Sequence, residues 1–465
     1  MEQVIEPTLA NRLNDLRAQI TGSAYLPGDE GFAEAQAGWN LIVQHQPAVV
    51  IQAKDESDVQ AAIRFANSQD LPIAVQATGH GQFKTCEGGL LLNISELTDV
   101  QIDPAAKTAK IGGGTRWSKV IEAAQPYNLM PVSGSSPGVG VVGYTIGGGY
   151  GIFSRQYGLG VDQVLSIRLV TPNGDIEAIT AETNPDLFWA ILGGGGAFGV
   201  VTQIEVQLHA QPTIFGGSVM FDASLSKDVY AAYLAYTKQA PEHVMSALTT
   251  ITFPPAPFIP DFLHGRSMII FSAAVLGDID NAEILLAPIR GLEGAEFDAF
   301  HPMTYADTWQ IYNDPTDPLP ATIRGTLLKD LEWADLERAL EEFGNAAQSP
   351  NLVFRIRHYG GAISRVENDR TCIGAKRDAK YLMYFLGVPM GGPPVEAMHE
   401  QADRVFASLK SQTLGTGPLN WIGERNVAAC DIQRHFTDEE YARQKKVKAG
   451  IDPNNRFRFA GVGID

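Results

Sequence analysis

The most informative part of the chain is Ser136-Pro137-Gly138-Val139-Gly140-Val141-Val142-Gly143, which continues into Tyr144-Thr145-Ile146-Gly147-Gly148-Gly149-Tyr150-Gly151. Glycine has no Cβ, so such runs occur where the backbone approaches a ligand closely or adopts a positive φ. Three of these glycines fit the G-x-G-x-x-G spacing of dinucleotide loops, but they do not open a β-α-β unit, so that match alone is weak. No lysine follows a glycine run as it would in a P-loop. The pattern predicts a surface that binds phosphate or a flat ring.

Two further glycine runs, at residues 112–114 and 193–196, lie on either side of this stretch. Upstream, residues 48–77 predict a β-α-β unit, with a helix that begins at Ser57 and carries Gln60 in a capping-box position. The sequence Thr78-Gly79-His80-Gly81 follows the second strand of this unit. Ligands of parallel sheets bind beyond the carboxyl ends of the strands, so these four residues are predicted to face a ligand.

Composition and charge exclude several classes of protein. The chain has 465 residues, 45% of them hydrophobic and 19% charged, which is typical of a globular protein with a large core. A net charge of −18 repels phosphate backbones, so nucleic acid is not an expected partner. No apolar run of about 18 residues predicts a membrane helix. The first six residues lack the features of a secretory signal, so a cytoplasmic location is expected.

Metal and hydrolase chemistry are also not expected. Three cysteines, Cys86, Cys372 and Cys430, are too few and too scattered for a disulfide framework or a zinc site. The histidines outside residues 78–81 show no ligand spacing, so we predict no metal site. The chain contains no G-x-S-x-G motif, which argues against an α/β-hydrolase.

The sequence divides into two domains and a tail. Residues 1–212 are rich in glycine and in short strands, whereas residues 213–425 alternate strands with longer helical stretches and predict a second, α+β domain. The tail, residues 426–465, contains the turn-rich and aromatic sequence Asp452-Pro453-Asn454-Asn455-Arg456-Phe457. We predict that this tail packs back onto the first domain.

These motifs together resemble the berberine bridge enzyme-like family of FAD-linked oxidases, which have the vanillyl-alcohol oxidase fold, and its bacterial members in particular. The resemblance covers nearly the whole chain and is strongest over residues 39–210. Besides the motifs quoted above, it rests on Trp39-Asn40, Tyr157-Gly158-Leu159, Val161-Asp162, Asn184-Pro185-Asp186-Leu187-Phe188-Trp189, Phe198-Gly199-Val200-Val201-Thr202, Gly360-Gly361-Ala362 and Arg377-Asp378.

The resemblance implies a fold and a cofactor. It implies an α+β protein with a two-lobed PCMH-type FAD-binding domain, whose core spans about residues 43–210, and a substrate domain with an antiparallel sheet over the flavin. FAD would be linked covalently to His80, whose neighbours Gly79 and Gly81 let the imidazole lie against a flat ring. The other residues that the resemblance places at the cofactor are Ala77, Thr78, Gly79, Gly81, Gln82, Ser136, Gly138, Gly140, Val142, Gly143, Tyr144, Gly148 and Val201. Val139 stands at the position that controls access of dioxygen, and its small side chain favours an oxidase.

The chain departs from the family pattern in three places. Ser136 replaces the cysteine that forms a second flavin link in many relatives, so a single covalent link is expected. Gln76 replaces an arginine that is common shortly before the histidine. An ungapped alignment puts Phe385 and Pro418 where plant members carry a catalytic carboxylate or a tyrosine, and neither residue can accept a proton.

The sequence therefore leaves the catalytic residue unassigned. Weak candidates are Tyr144, Tyr381, His358 and Tyr359, while Lys376 and Arg377 could steer an anionic group or form a solvated pair. The expected reaction is hydride transfer from an organic alcohol, amine or sugar to the flavin, with O2 as acceptor and H2O2 as product. The alternatives are oxidative cyclisation or desaturation in secondary metabolism, and a flavin-binding protein with little turnover. The expected partners are thus a small-molecule substrate and O2.

Overall fold

The computed structural model describes residues 8–81, 84–257, 259–421 and 432–461, and it confirms the expected α+β class. The helices are α1 (Leu9–Arg17), α2 (Phe32–Gln36), α3 (Glu56–Ser68), α4 (Trp117–Ala124), α5 (Val141–Ile146), α6 (Ser154–Tyr157), α7 (Pro185–Gly194), α8 (Ser226–Thr237), α9 (Ile279–Arg290), α10 (Trp333–Phe343), α11 (Val395–Ser408) and α12 (Asp438–Ile451). No helix of the described residues has the length and apolar character needed to cross a lipid bilayer.

The strands are short in the first 210 residues and longer after them. They are β1 (Ser23–Tyr25), β2 (Val49–Gln52), β3 (Ile73–Gln76), β4 (Leu90–Asn93), β5 (Val100–Asp103), β6 (Thr108–Gly112), β7 (Leu129–Met130), β8 (Val164–Val170), β9 (Ile176–Ile179), β10 (Val200–Gln207), β11 (His209–Ala210), β12 (Ile214–Asp222), β13 (Val244–Thr252), β14 (Ser267–Leu276), β15 (His301–Met303), β16 (Thr322–Leu328), β17 (Val353–His358), β18 (Tyr381–Gly387) and β19 (Thr413–Thr416).

Residues 8–211, called here the N-terminal region, contain the expected β-α-β unit. Helix α3 connects β2 to β3, and β4 lies parallel between these two strands in a sheet of order β1-β2-β4-β3. The predicted helix start at Ser57 is wrong. Asp55 is the N-cap, because its carboxylate accepts a hydrogen bond from the Asp58 backbone N–H, and the helix begins at Glu56. Strand β3 ends at Gln76, so residues 77–81 leave the sheet at its carboxyl edge.

A second sheet of the N-terminal region carries the glycine runs. Its five strands, in the order β5-β6-β10-β8-β9, are all antiparallel. Strand β6 ends at Gly112, and the loop after it meets the start of α5, where the Val141 N–H donates to the Thr115 carbonyl at 2.9 Å. This contact fixes residues 136–140 beside the end of β6.

Residues 214–421, the sheet region, form one antiparallel sheet of eight strands in the order β15-β12-β14-β13-β17-β18-β16-β19. Side chains alternate between its two faces along each strand. On one face, the helix face, residues such as Phe354, Ile356 and Phe385 share a core with residues of α8, α9, α10 and α11. On the other face, Leu382 and Tyr384 share a core with residues of the N-terminal region, so this is called the cleft face.

The C-terminal segment, residues 432–461, packs on the N-terminal region. Helix α12 lies against α7, where the Gln444 side-chain amide donates to the Ala190 carbonyl at 3.0 Å. The buried Lys448 ammonium donates to the Ala197 carbonyl at 2.6 Å and contacts the Asp452 carboxylate at 2.5 Å. These bonds hold the end of the glycine run at residues 193–196 in place.

Candidate functional site

The loop after β3 is held in a conformation that strongly favours glycine. Gly79 has a φ of +70°, and a Cβ at this position would lie 2.5 Å from the Gly38 Cα. The segment that contains Gly38 is bound to the loop, because the Trp39 N–H donates to the Thr78 carbonyl at 2.9 Å and the Asn40 N–H to the Gly79 carbonyl at 3.2 Å. The loop is therefore rigid on the side away from the glycine-rich stretch.

This loop orients the His80 imidazole. Its Nδ1 lies 2.9 Å from the Thr78 hydroxyl, and its ring stacks on the Trp39 indole with centroids 4.4 Å apart and planes 11° apart. Burial and, second, the Arg116 guanidinium lower the pKa of His80 to about 4. The imidazole is therefore neutral at physiological pH, which is the nucleophilic form.

The glycine-rich stretch forms the surface opposite His80. A Cβ built on Gly138 would lie 4.0 Å from the His80 Cε1, 3.9 Å from the Ser136 hydroxyl and 3.7 Å from an Arg116 guanidinium nitrogen. A Cβ on Gly140 would lie 3.3 Å from the Thr78 hydroxyl. The structure thus brings the two predicted motifs together as the walls of one cleft.

The cleft has backbone walls, which suit the close approach of a flat cofactor. These walls are Gly138 and Gly140, and a Cβ built on Gly81 or Gly143 would meet no atom of the described residues within 4 Å. A histidine, a serine and a threonine side chain border these walls. The residues present therefore fit FAD: the glycines would allow a flat ring to approach the backbone, and the polar side chains would offer it hydrogen bonds.

Other residues that the sequence places at the cofactor have different surroundings. Val142 and Val201 are buried in the core of the N-terminal region, and Val139 packs against that core from its edge. Ala77 packs on the core beside α3. Gly148 has a φ of +126° and contacts Pro418, so it fixes the sheet region against the stretch. Gln82 lies outside the described residues.

Tyr144 has a positioning role in the structure. Its hydroxyl donates to the Val132 carbonyl at 3.2 Å, and burial raises its pKa well above the usual value, so the phenol stays protonated. Asn420, which sequence reasoning missed, binds the same turn: its amide donates to the Tyr144 carbonyl at 3.2 Å and accepts from the Gly149 N–H at 2.8 Å. Nothing in the sequence around Asn420 predicted that this residue bridges to the turn at Gly149.

Two of the catalytic candidates are on the wrong face of the sheet. The Tyr381 hydroxyl lies 2.7 Å from the Thr237 hydroxyl of α8, and His358 stacks on Tyr381. Phe385, at the aligned carboxylate position, packs against Phe354 on the same helix face. Successive residues of a strand face opposite sides of the sheet, so an alignment that slips by one residue exchanges a helix-face side chain such as Phe385 for a cleft-face one.

The remaining candidate, Tyr359, lies where the two regions meet. Tyr359 is fully buried and stacks on Tyr150, with ring centroids 5.1 Å apart. Its hydroxyl has no hydrogen-bond partner among the described residues, and burial raises its pKa. Tyr359 is a packing residue in this structure, and it contacts the ring of Tyr150, which follows the glycine run at residues 147–149.

The sequence had suggested that Lys376 and Arg377 form a solvated pair, but both side chains are buried in the structure. Arg377 is completely buried, and its guanidinium binds the Asp162 carboxylate at 2.7 and 3.0 Å. Lys376 is also buried and lies 5.0 Å from the centre of the Phe436 ring, and burial lowers its pKa to about 8. The pair therefore joins the sheet region to its neighbours instead of attracting a ligand from solution.

The cleft face presents residues that sequence reasoning missed. Arg355, Arg357 and Tyr384 project from β17 and β18, and the Arg355 guanidinium donates to the Tyr384 hydroxyl at 2.7 Å. Tyr312 contacts both arginines, with its ring centre 4.7 Å from Arg355 and 4.6 Å from Arg357. The sequence Arg355-Ile356-Arg357, with charge at every second residue, was the signal that two charged side chains share this face.

Comparisons with known proteins point to FAD as the cofactor. The FAD binding domain model matches residues 47–180. The chain is 28% identical to (R)-6-hydroxynicotine oxidase of Paenarthrobacter nicotinovorans over 458 residues, which covers 94% of this chain and 96% of that protein. The crystal structure of 6-hydroxy-D-nicotine oxidase from Arthrobacter nicotinovorans matches with a TM-score of 0.81 and 25% identity, covering 96% of this chain and 98% of that one.

The fold is also shared with a plant protein. Physcomitrella patens BBE-like 1 matches with a TM-score of 0.80 at 19% identity and covers 97% of this chain and 98% of its own. Fold and comparisons together define an FAD-linked oxidoreductase with a PCMH-type fold. These findings support the resemblance to berberine bridge enzyme-like FAD-linked oxidases that the motifs indicated.

Proposed function

We propose that the protein is an oxidase that takes a hydride from a carbon atom of an organic alcohol, amine or sugar, through FAD linked covalently to His80. The substrate loses a hydride and a proton, and O2 takes up both to give H2O2. The observation that carries the proposal is a neutral His80 imidazole, stacked on Trp39 and facing the glycine wall at Gly138. The bound FAD would supply the two-electron acceptor.

The residues of the cleft have separate tasks in this proposal. Thr78 and Trp39 fix the His80 ring, so that one nucleophilic nitrogen is held at the cofactor. Gly138 and Gly140 allow the close approach of a flat ring, and the Asn420 amide fixes the turn at Gly149. Ser136 carries a hydroxyl and no thiol, which supports a single covalent link. The small Val139 side chain leaves room for dioxygen.

The cleft face favours an amine among the three substrate classes. In place of a carboxylate, it presents two arginines and the Tyr384 phenol, whose oxygen accepts from Arg355. Oxidation of an alcohol is helped by a base that removes the hydroxyl proton. An amine needs less help, because its nitrogen lone pair stabilises the developing cation, and a nearby guanidinium favours the uncharged amine.

Two measurements on the purified protein test the proposal. Precipitation with acid should leave the yellow colour in the pellet, and mass spectrometry of the digest should find the flavin mass on the peptide that contains His80. Addition of amines, alcohols and sugars should then produce one H2O2 for each substrate oxidised in air. Yellow colour in the supernatant would contradict the covalent link. Substrate reduction of the flavin without peroxide in air would show a dehydrogenase.

A further inference from the structure

Arg357 is a buried arginine without a carboxylate partner among the described residues. The residue is 5% exposed, and its Nε has no hydrogen-bond partner among them. Burying a guanidinium without a carboxylate partner costs free energy, and such a residue is a candidate for binding a ligand.

Its neighbour Arg355 is positioned by neutral groups. The Arg355 guanidinium donates to the Thr249 hydroxyl and to the Tyr384 hydroxyl, both at 2.7 Å. Asp314 is the carboxylate with an electrostatic effect on Arg357, and it accepts a hydrogen bond from the Ser135 hydroxyl at 2.5 Å. The two guanidiniums therefore give this part of a chain of net charge −18 a local excess of positive charge.

Aromatic rings surround the Arg357 guanidinium. Its central carbon lies 4.6 Å from the ring centre of Tyr312, 5.6 Å from Tyr150, and 5.8 Å from both Tyr384 and Trp421. Tyr150 follows the glycine run at residues 147–149, and Trp421 follows Asn420, which binds that run. The guanidinium therefore lies between the cleft face and the glycine-rich stretch.

We propose that Arg357 binds a carboxylate of the substrate, so that the enzyme oxidises an organic acid that also carries the reactive amine or alcohol carbon. A guanidinium offers parallel N–H donors that match the two oxygens of a carboxylate. The rings keep water away and provide an apolar surface for the carbon skeleton next to the acid group. Arg355 and Tyr384 fix this pocket from one side.

The inference rests on the proposed function, since it places the substrate on the cleft face. The two can nevertheless fail separately. Binding of a carboxylate is measured without turnover and without a covalent flavin, whereas the proposed function is tested by flavin retention in acid and by peroxide.

The test compares acids with their amides on the flavin-containing protein by titration calorimetry. The pairs are acetate and acetamide, phenylacetate and phenylacetamide, and 3-phenylpropionate and 3-phenylpropionamide, each matched in shape and different in charge. At least one acid should bind tenfold or more tightly than its amide. Arg357→Met should remove that difference and leave the affinity for the amide within twofold, while Arg357→Lys should keep part of it.

Arg324→Met is the matched control. Arg324 lies on β16 of the same sheet but on the helix face, where it pairs with the Asp403 carboxylate at 2.8 Å. This variant should bind acid and amide as the wild type does. If Arg357→Met does not fold, as judged by circular dichroism, Arg357→Lys must weaken acid binding at least threefold. The proposal is wrong if no acid binds better than its amide, if the preference survives in Arg357→Met, or if Arg357→Lys binds the acid as tightly as the wild type does.

Discussion

The two walls of the cleft are built by different means. The wall from the N-terminal region is mostly backbone, where Gly79, Gly138 and Gly140 let chain segments approach each other closely. The opposite wall is a sheet whose side chains, above all Arg355, Arg357 and Tyr384, decide its chemistry. In the proposed function, the backbone wall would bind the cofactor, which is the same for every substrate. The side-chain wall would bind the substrate, and its residues can change with the substrate while the fold stays the same.

The largest expected effect concerns His80, the proposed nucleophile of the backbone wall. In His80→Ala all of the flavin should move from the acid pellet to the supernatant, because no nucleophile remains at the loop. His301→Ala, an exposed histidine of β15, is the control and should keep its flavin in the pellet. Flavin that stays in the pellet of His80→Ala would mean that another residue anchors the cofactor, and the division between the walls would need revision.

The contact between the walls can be broken at Arg377. Arg377→Met leaves the Asp162 carboxylate buried without its cation, and the two side chains are 0% and 4% exposed. We expect the free energy of unfolding in urea to fall by about 3–5 kcal/mol. Arg365→Met is the control, because its pair with Glu242 is exposed and should contribute less than about 1 kcal/mol. Equal losses in the two variants would show that the buried pair does not hold the walls together.

The backbone wall itself can be tested with two neighbouring glycines. Gly79→Ala places a Cβ against Gly38 at a positive φ and should lower the free energy of unfolding by about 2 kcal/mol. Gly81→Ala introduces the same methyl group into open space and should change it by less than about 0.5 kcal/mol. Urea unfolding of both variants gives the comparison. A Gly79→Ala protein as stable as Gly81→Ala would show that the loop is not constrained by its glycine.

The smallest expected effect tests whether a lowered histidine pKa is specific to the cleft. Burial, followed by Lys107, lowers the pKa of His209 to about 4, although this residue stacks on Tyr157 outside the cleft. The unfolded chain binds a proton at this histidine near pH 6.5 and the folded protein only near pH 4, so stability falls as the pH falls between these values.

Urea unfolding at pH 7 and pH 5 measures this contribution. The wild type should lose on the order of 1 kcal/mol more between the two pH values than His209→Gln, which cannot titrate. If the two proteins lose the same amount, His209 does not stay neutral in the folded state. A larger loss in the wild type would show that burial alone keeps a histidine neutral. His80 would then differ from His209 in its geometry and not in its pKa.

The backbone wall could be predicted from the sequence because its information is local. The glycine runs and the Thr78-Gly79-His80 loop can be recognised from consecutive residues, without knowledge of what they contact in space. The β-α-β unit before them follows from hydrophobic periodicity. The side-chain wall could not be predicted in this way. Whether Tyr384 or Phe385 faces the cleft depends on strand register, which is set by pairing with distant strands. Asn420 and Asp162 act through partners more than 200 residues away.

The tail has a consequence for how the enzyme is made. The Phe457 ring lies in the same core as Leu13 and Val59, and the Ile73 N–H at the start of β3 donates to the Arg456 carbonyl at 2.7 Å. The strand that leads to His80 is therefore completed by residues 456 and 457, which follow it at a great distance along the chain. The first sheet cannot make all of its contacts until these residues have been synthesised, so the cleft cannot take its final form while only the first half of the chain exists.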